Sequence, residues 1–165
     1  MFKKSKIVVD VGAAPGGWSQ YAVSKVGVTI PSSVVSIDLL EIDAIPGCHF
    51  IQGDFLDEKM KEELRQYIDG RPVDIVMSDI APNFSGNRSL DHIRQIAMCE
   101  SVVEFAQSVA KPDCTLVLKV IQGSDFQAFI KQMKTQFRKV TLVKPKASRK
   151  ESTEIYCVMH SFKSL

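Results

Sequence analysis

Short apolar runs alternate along this chain with stretches whose apolar residues recur every three to four positions. That alternation allows few folds, because strands joined through amphipathic helices lie parallel in one sheet with the helices packed against it. Strands are expected at 7–11, 33–37, 49–52, 73–77 and 114–120, and helices at 16–26, 57–67, 90–109 and 125–136. Gly27 and Pro31 stop the first helix, and Asp69-Gly70 stops the second. Residues 81–89 hold Pro, Asn, Gly and Ser and read as an exposed loop. Two last strands, 140–143 and 155–159, flank a polar stretch without helical periodicity, which predicts an antiparallel pair at the sheet edge. The expected architecture is α/β: a mostly parallel seven-stranded sheet with an antiparallel edge and helices on both faces.

The chain of 165 residues fits one domain over its whole length, 1–165. With 45% apolar and 24% charged residues, it has the composition of a globular protein rather than a disordered one. No apolar run approaches the roughly 18 residues a membrane-spanning helix needs, so no membrane partner is expected. Cys48, Cys99, Cys114 and Cys157 form no Cys-x-x-Cys pair, and His49, His92 and His160 are equally scattered. Neither a metal site nor a disulfide framework is indicated, and an intracellular chain with free thiols is expected. Only Met1 to Lys6 precede the first strand, too few for a signal peptide, which suggests an upstream segment trimmed away.

The turn after the first strand reads Gly12-Ala13-Ala14-Pro15-Gly16-Gly17-Trp18. Open α/β sheets bind nucleotide-like ligands at this place, and glycines permit close ligand approach. It is not the dinucleotide fingerprint, since Ala14 replaces its second glycine and Pro15 has no N–H for a pyrophosphate. A ligand with an adenosine, an amine and a small carboxylate suits the loop better; alone, the loop also reads as a plain connection. Asp38 closes the second strand about 20 residues beyond it, as a ribose-binding acid does, and Asp54 closes the third within Gln52-Gly53-Asp54-Phe55. Each acid alone reads equally as a cap or turn residue. Together with the loop they read as an adenosine pocket.

On the other half of the chain, the fourth strand ends in Ser78-Asp79-Ile80-Ala81-Pro82-Asn83, and Lys119 sits inside the apolar run Val117-Leu118-Lys119-Val120. A lysine there is costly to bury unless it is paired or deprotonated, although a stem reaching out to water is the plainer explanation.

These residues, taken in order, resemble the FtsJ or RlmE family of ribosomal RNA 2′-O-ribose methyltransferases. The likeness runs through Val9-Asp10-Val11-Gly12 to Gln20, Gln52 to Phe55, Met77 to Asn83, Leu118-Lys119-Val120-Ile121-Gln122-Gly123, Lys144-Pro145 to Ser148-Arg149, and Glu154-Ile155-Tyr156. It implies a Rossmann-like class I fold and S-adenosylmethionine as cofactor, with no metal. It implies methylation of a ribose 2′-hydroxyl, most of all of a uridine in large-subunit ribosomal RNA. The family resemblance puts the cofactor on Gly16, Trp18, Asp38, Asp54 and Asp79, and leaves Asp10 either at the methionine end or in the turn. Of the family's Lys-Asp-Lys-Glu tetrad, the last three members carry over to Asp79, Lys119 and Glu154. The first lies in a helix upstream of the first strand, so this chain reads as an N-terminally truncated member.

A sulfonium methyl is already activated, so such an enzyme has chiefly to position a weakly acidic hydroxyl and remove its proton. Lys119 is the expected base. Asp79 and Glu154 favour its charged form, so their expected duties are to orient it and to hold the acceptor ribose.

RNA as the partner, free or in an assembling ribosomal subunit, is supported by charge placement, since a net charge of +2 argues little by itself. Lys131, Lys134, Arg138, Lys139, Lys144, Lys146, Arg149 and Lys150 follow one another without an intervening acid. Lys144, Lys146, Arg149 and Lys150, nearest Glu154, are the candidate RNA contacts, and Phe84 and Arg88 in the exposed loop offer stacking or phosphate contacts. A monomer in the cytoplasm or an organelle such as the mitochondrion is expected. The rival readings are a transfer-RNA or cap 2′-O-methyltransferase and a cofactor-binding module without catalysis.

Overall fold

The computed structural model describes residues 6–145 and 152–163. Seven strands form one sheet: β1 (Val8–Val11), β2 (Val34–Asp38), β3 (Cys48–Gln52), β4 (Val73–Ser78), β5 (Ala110–Ile121), β6 (Phe137–Val143) and β7 (Glu154–Phe162). Four helices connect them: α1 (Gly17–Val26), α2 (Glu58–Ile68), α3 (Arg88–Val109) and α4 (Phe126–Gln136). The sheet order is β3-β2-β1-β4-β5-β7-β6, parallel except for β7, which runs antiparallel to both of its neighbours.

The expected elements are all present, with differences in the bounds of some of them. Strand β6 begins at Phe137 rather than 140 and β5 extends over Ala110–Ile121, because ladder partners lengthen strands whose ends are too polar to show in the pattern. Helix α3 begins at Arg88, where the Asn87 side chain accepts a hydrogen bond from Leu90 N. The expected antiparallel pair is at the edge, with β7 inside and β6 outermost. Cys157 and Met159, both fully buried, hold β7 between β5 and β6, and the half-polar β6 takes the edge.

The sheet is buried on both faces over β1, β2 and β4, so these strands are continuous apolar runs rather than alternating ones. Helix α1 packs on one face through Ala22, Val23 and Val26, against Val8, Val34, Ile75 and Met77. Helices α2, α3 and α4 pack on the other against Val9, Val11, Val76, Leu116 and Leu118. Phe105 is central to that larger core, edge-on to Phe55 with ring centroids 5.5 Å apart and 1% exposed. Phe105→Ala is expected to lower unfolding stability by about 3–5 kcal/mol, measured by urea denaturation, from the lost transfer energy and the cavity left behind.

Candidate functional site

Pleating decides which strand-end residues meet. Asp10 follows Val8 on the α1 face of β1, and Asp79 continues the parity of Ile75 and Met77, which pack on the same side. Lys119 shares its side with Val117 in the same way, and Tyr156 stands opposite Lys119 in the β5–β7 ladder. Asp79, Lys119 and Glu154 therefore converge at the carboxyl-end edge of the sheet. Lys119 Nζ lies 3.0 Å from Asp79 Oδ1 and 3.8 Å from Glu154 Oε1, and the lysine side chain is only 12% exposed. Asp79 Oδ1 is buried without an aligned hydrogen bond, so the ion pair is its main compensation. Burial raises the Tyr156 hydroxyl above the ordinary tyrosine range, and the charges of Asp79 and Glu154 add to the effect.

The glycine loop lies against this cluster. Gly12 has φ of +76°, and a Cβ there would come within 2.9 Å of Ile80 Cα and N, so the loop touches the backbone after β4 directly. Gly16 is the left-handed N-cap of α1, with a φ of +107°. Trp18, in the first turn of α1, lies 5.6 Å from the Tyr156 ring, centroid to centroid. Asp38 accepts hydrogen bonds from Ala14 N at 2.8 Å and Leu40 N at 2.9 Å, which pins the loop to the end of β2. Asp54 accepts from Leu56 N at 2.9 Å and is exposed. The structure thus gathers Gly16, Trp18, Asp38 and Asp79 around one turn, with Asp54 at the end of the outer strand β3.

Asp10 has no exposed surface and sits beneath the loop rather than at a pocket surface. Ser19 Oγ donates to its Oδ2 at 2.6 Å and lies 2.9 Å from Ser36 Oγ, which lies 2.7 Å from Cys48 Sγ. This polar seam runs beneath α1. Burial pushes the Asp10 carboxyl up to about 7, with Asp79 and Asp38 adding repulsion and the Ser19 hydrogen bond opposing the rise. The seam was not legible in Val9-Asp10-Val11.

The basic run divides in space. Lys131 and Lys134 lie on α4, and Arg138 and Lys139 lie on β6 toward the opposite edge of the sheet, all of them exposed. Lys144 follows the carboxyl end of β6 on the site's side, and its Nζ donates to Ser152 O at 3.0 Å. Lys146, Arg149 and Lys150 lie outside the described residues. Beside Glu154 a cleft of about 840 Å³ opens, lined by Phe84, Arg88, His92, Gly123, Ser124 and Thr153 among others. Asp91 holds the loop that carries Phe84, accepting from Ser85 N, Ser85 Oγ and Gly86 N. His92 is the one residue of this cleft wall that sequence reasoning passed over as a scattered histidine. Its Nε2 accepts from Asp125 N at 3.0 Å, and a Cβ on Gly123 would lie 2.6 Å from its ring, so only glycine fits there.

The sheet order, with its antiparallel β7 and glycine turn after β1, defines a Rossmann-like methyltransferase fold. The family model for FtsJ-like methyltransferases matches residues 1–162, and the chain belongs to that family. It is 47% identical over 158 residues to the ribosomal RNA large subunit methyltransferase E of Acinetobacter baylyi, covering 96% of this chain and 72% of that protein. The protein of the same name from Chromobacterium violaceum is 44% identical over 156 residues, covering 94% of this chain and 75% of that one. Among solved structures, a ribosomal RNA methyltransferase from Plasmodium falciparum superposes with a TM-score of 0.82 at 28% identity, covering 98% and 89% of the two chains.

The raised Asp10 carboxyl has a consequence for stability. Its folded value of about 7 exceeds the ordinary 3.8, so the folded chain holds a proton that the unfolded chain releases. That contribution is complete below about pH 4 and is lost as pH rises toward 7. Asp10→Asn keeps an acceptor for Ser19 without the ionisation. Its stability relative to the parent is expected to improve between pH 5 and 8, by up to roughly 4 kcal/mol, read from urea midpoints at each pH.

Proposed function

We propose that this chain transfers a methyl group from S-adenosylmethionine to a ribose 2′-hydroxyl of RNA, with a uridine of large-subunit ribosomal RNA as the acceptor. The observation that carries the reading is the meeting of Lys119 with Asp79 and Glu154 directly beside the glycine loop. The names of the bacterial relatives support ribosomal RNA as the substrate.

The residues of the pocket suit the cofactor. Gly12 and Gly16, both at positive φ, let the loop backbone pack closely against Ile80 and Ile45 and present itself to a ligand. Asp38 and Asp54 keep lone pairs beyond those given to backbone N–H groups, which serve ribose hydroxyls and an adenine amine. Asp79 places a carboxylate with a buried oxygen next to the reacting centre, favourable to a cationic methionine end. S-adenosylmethionine supplies an activated methyl group.

The chain's own contribution is position and proton removal. Lys119 in its amine form accepts the proton of the 2′-hydroxyl, and the ammonium that results is the species Asp79 and Glu154 stabilise. Glu154 lies at the boundary between this cluster and the cleft, so it also orients the acceptor ribose. The cleft, within the roughly 300–1,000 Å³ range of ligand pockets, receives the nucleotide. Phe84, 64% exposed, offers a base a stacking face, and Arg88 offers a phosphate a cation. Lys144, Lys146, Arg149 and Lys150 extend the phosphate contacts. One chain supplies all of these groups, which supports a monomer as the working form.

Asp38→Ala is expected to weaken S-adenosylmethionine binding roughly tenfold or more by calorimetry, the worth of hydrogen bonds to a charged acceptor. Lys119→Ala should leave that affinity within a factor of about two and reduce transfer by roughly 10²–10⁴-fold. The assay follows labelled methyl onto large-subunit ribosomal RNA and maps it by alkali-resistant linkages. Equal turnover by parent and Lys119→Ala would remove Lys119 from the mechanism, and label appearing only on transfer RNA or capped RNA would replace the substrate.

A further inference from the structure

The inner edge of β5 is left without a strand partner at Lys119. Strand β4 pairs with β5 as far as Ser78 opposite Leu118 and then turns away, with Ile80 N donating to Ser78 Oγ at 3.2 Å rather than reaching β5. Continued in register, β4 would place Ile80 opposite Val120. In a parallel ladder that residue would donate its N–H to Lys119 O and accept from Ile121 N. Both groups are filled by another residue. Gln95 of α3, fully buried, donates Nε2–H to Lys119 O at 2.8 Å and accepts from Ile121 N at 3.3 Å through Oε1. Its carboxamide thus makes the pair of bonds that the missing peptide of β4 would make. Cys99, one turn further along α3, adds a thiol contact to Lys119 O at 3.5 Å and lies 3.1 Å from Gln95 Nε2.

This arrangement bears on the site because it fixes the backbone from which Lys119 projects. On its outer side β5 is held by β7, Lys119 opposite Tyr156 and Ile121 opposite Glu154. On its inner side the only hydrogen-bonding hold beyond Leu118 among the described residues is α3. A side-chain amide does here what a strand does elsewhere, and it leaves the space above β4 open for Asp79 to meet the lysine at 3.0 Å.

We infer that Gln95 is a positioning residue for Lys119: a side-chain surrogate for the end of β4 that sets the lysine's approach to Asp79 and to the acceptor hydroxyl. The inference rests on the reading of Lys119 as the proton acceptor. Misplacing a reacting group by about 1 Å costs up to roughly a hundredfold in rate, whereas the cofactor's contacts on β1, β2 and β3 are untouched.

The test compares Gln95→Leu, which keeps the volume and removes both hydrogen bonds, with Val102→Ala, a buried α3 substitution away from β5's carboxyl end. Both lose core stability. Only Gln95→Leu is expected to lower kcat for RNA methylation, by roughly ten- to a hundredfold, with KM for RNA and the affinity for S-adenosylmethionine within about twofold of the parent. Gln95→Glu adds a second readout. As a neutral acid it donates to Lys119 O, and once ionised it does not, so its kcat relative to the parent is expected to fall as pH rises. Hydrogen exchange at the Ile121 amide, followed by NMR without RNA, is expected to accelerate about tenfold or more in Gln95→Leu and not in Val102→Ala. Accelerated exchange in a chain whose parent transfers no methyl to RNA would sink the function proposed for the site and leave the hold on β5 standing. Parent-like kcat in Gln95→Leu, a loss matched by Val102→Ala, or unchanged Ile121 exchange would each overturn the inference.

Discussion

The two-residue period of a strand is the constraint on which everything else here depends. Asp10, Asp79 and Lys119 come from segments scattered along the chain, and they share a face because each lies an even number of residues from a side chain packed beneath α1; Tyr156 joins them by standing opposite Lys119. A slip of one residue in β5 would send Lys119 into the apolar core of α3 and α4. The register is secured by fully buried Leu116, Leu118 and Val120, whose parity is opposite to that of the lysine. The large core thereby specifies the chemistry on the far side of the sheet.

Polar groups under α1 and α3 show two ways of placing hydrogen-bonding atoms in an apolar interior. The Gln95 carboxamide has its oxygen and one N–H matched by backbone partners, at the end of a strand where such partners would otherwise be missing. Asp10 is matched at one oxygen and left with the other unpartnered, and its proton affinity rises accordingly. The first arrangement adds rigidity near Lys119. The second leaves a carboxyl whose charge is sensitive to what lies above it at Asp38 and Asp79.

Much of this was legible in the sequence, for identifiable reasons. Asp38, Asp54 and Asp79 announced themselves because they follow apolar runs, and Lys119 because it interrupts one. The element order was equally plain, since helical and strand periods differ. What the sequence withheld was non-local. The place of β7 between β5 and β6 depends on pairing across the whole α4–β6 segment, and no local pattern encodes it. The start of β6 was hidden by Arg138 and Lys139, whose exposure is natural on an edge strand. The basic stretch looked continuous because it is continuous in the chain, yet β6 crosses the sheet and leaves Arg138 and Lys139 at one end and Lys144 at the other. Gln95 left one faint signal, a glutamine on the stripe shared with Cys99 and Val102, one turn beyond the buried Asp91 and His92.

The sheet order also sets a timetable for synthesis. Strand β6 leaves the ribosome before β7, yet among the described residues β7 is its sole neighbour in the sheet, so β6 has no ladder to join when it emerges. Strand β5, already paired with β4, meanwhile presents an open edge to any passing strand. Both conditions end together when β7 slides between them, and the same event brings Glu154 to Lys119. A growing chain therefore carries Asp79 and Lys119 without Glu154 until β7 is translated, and completes that charged cluster in the step that hides its most adhesive edge.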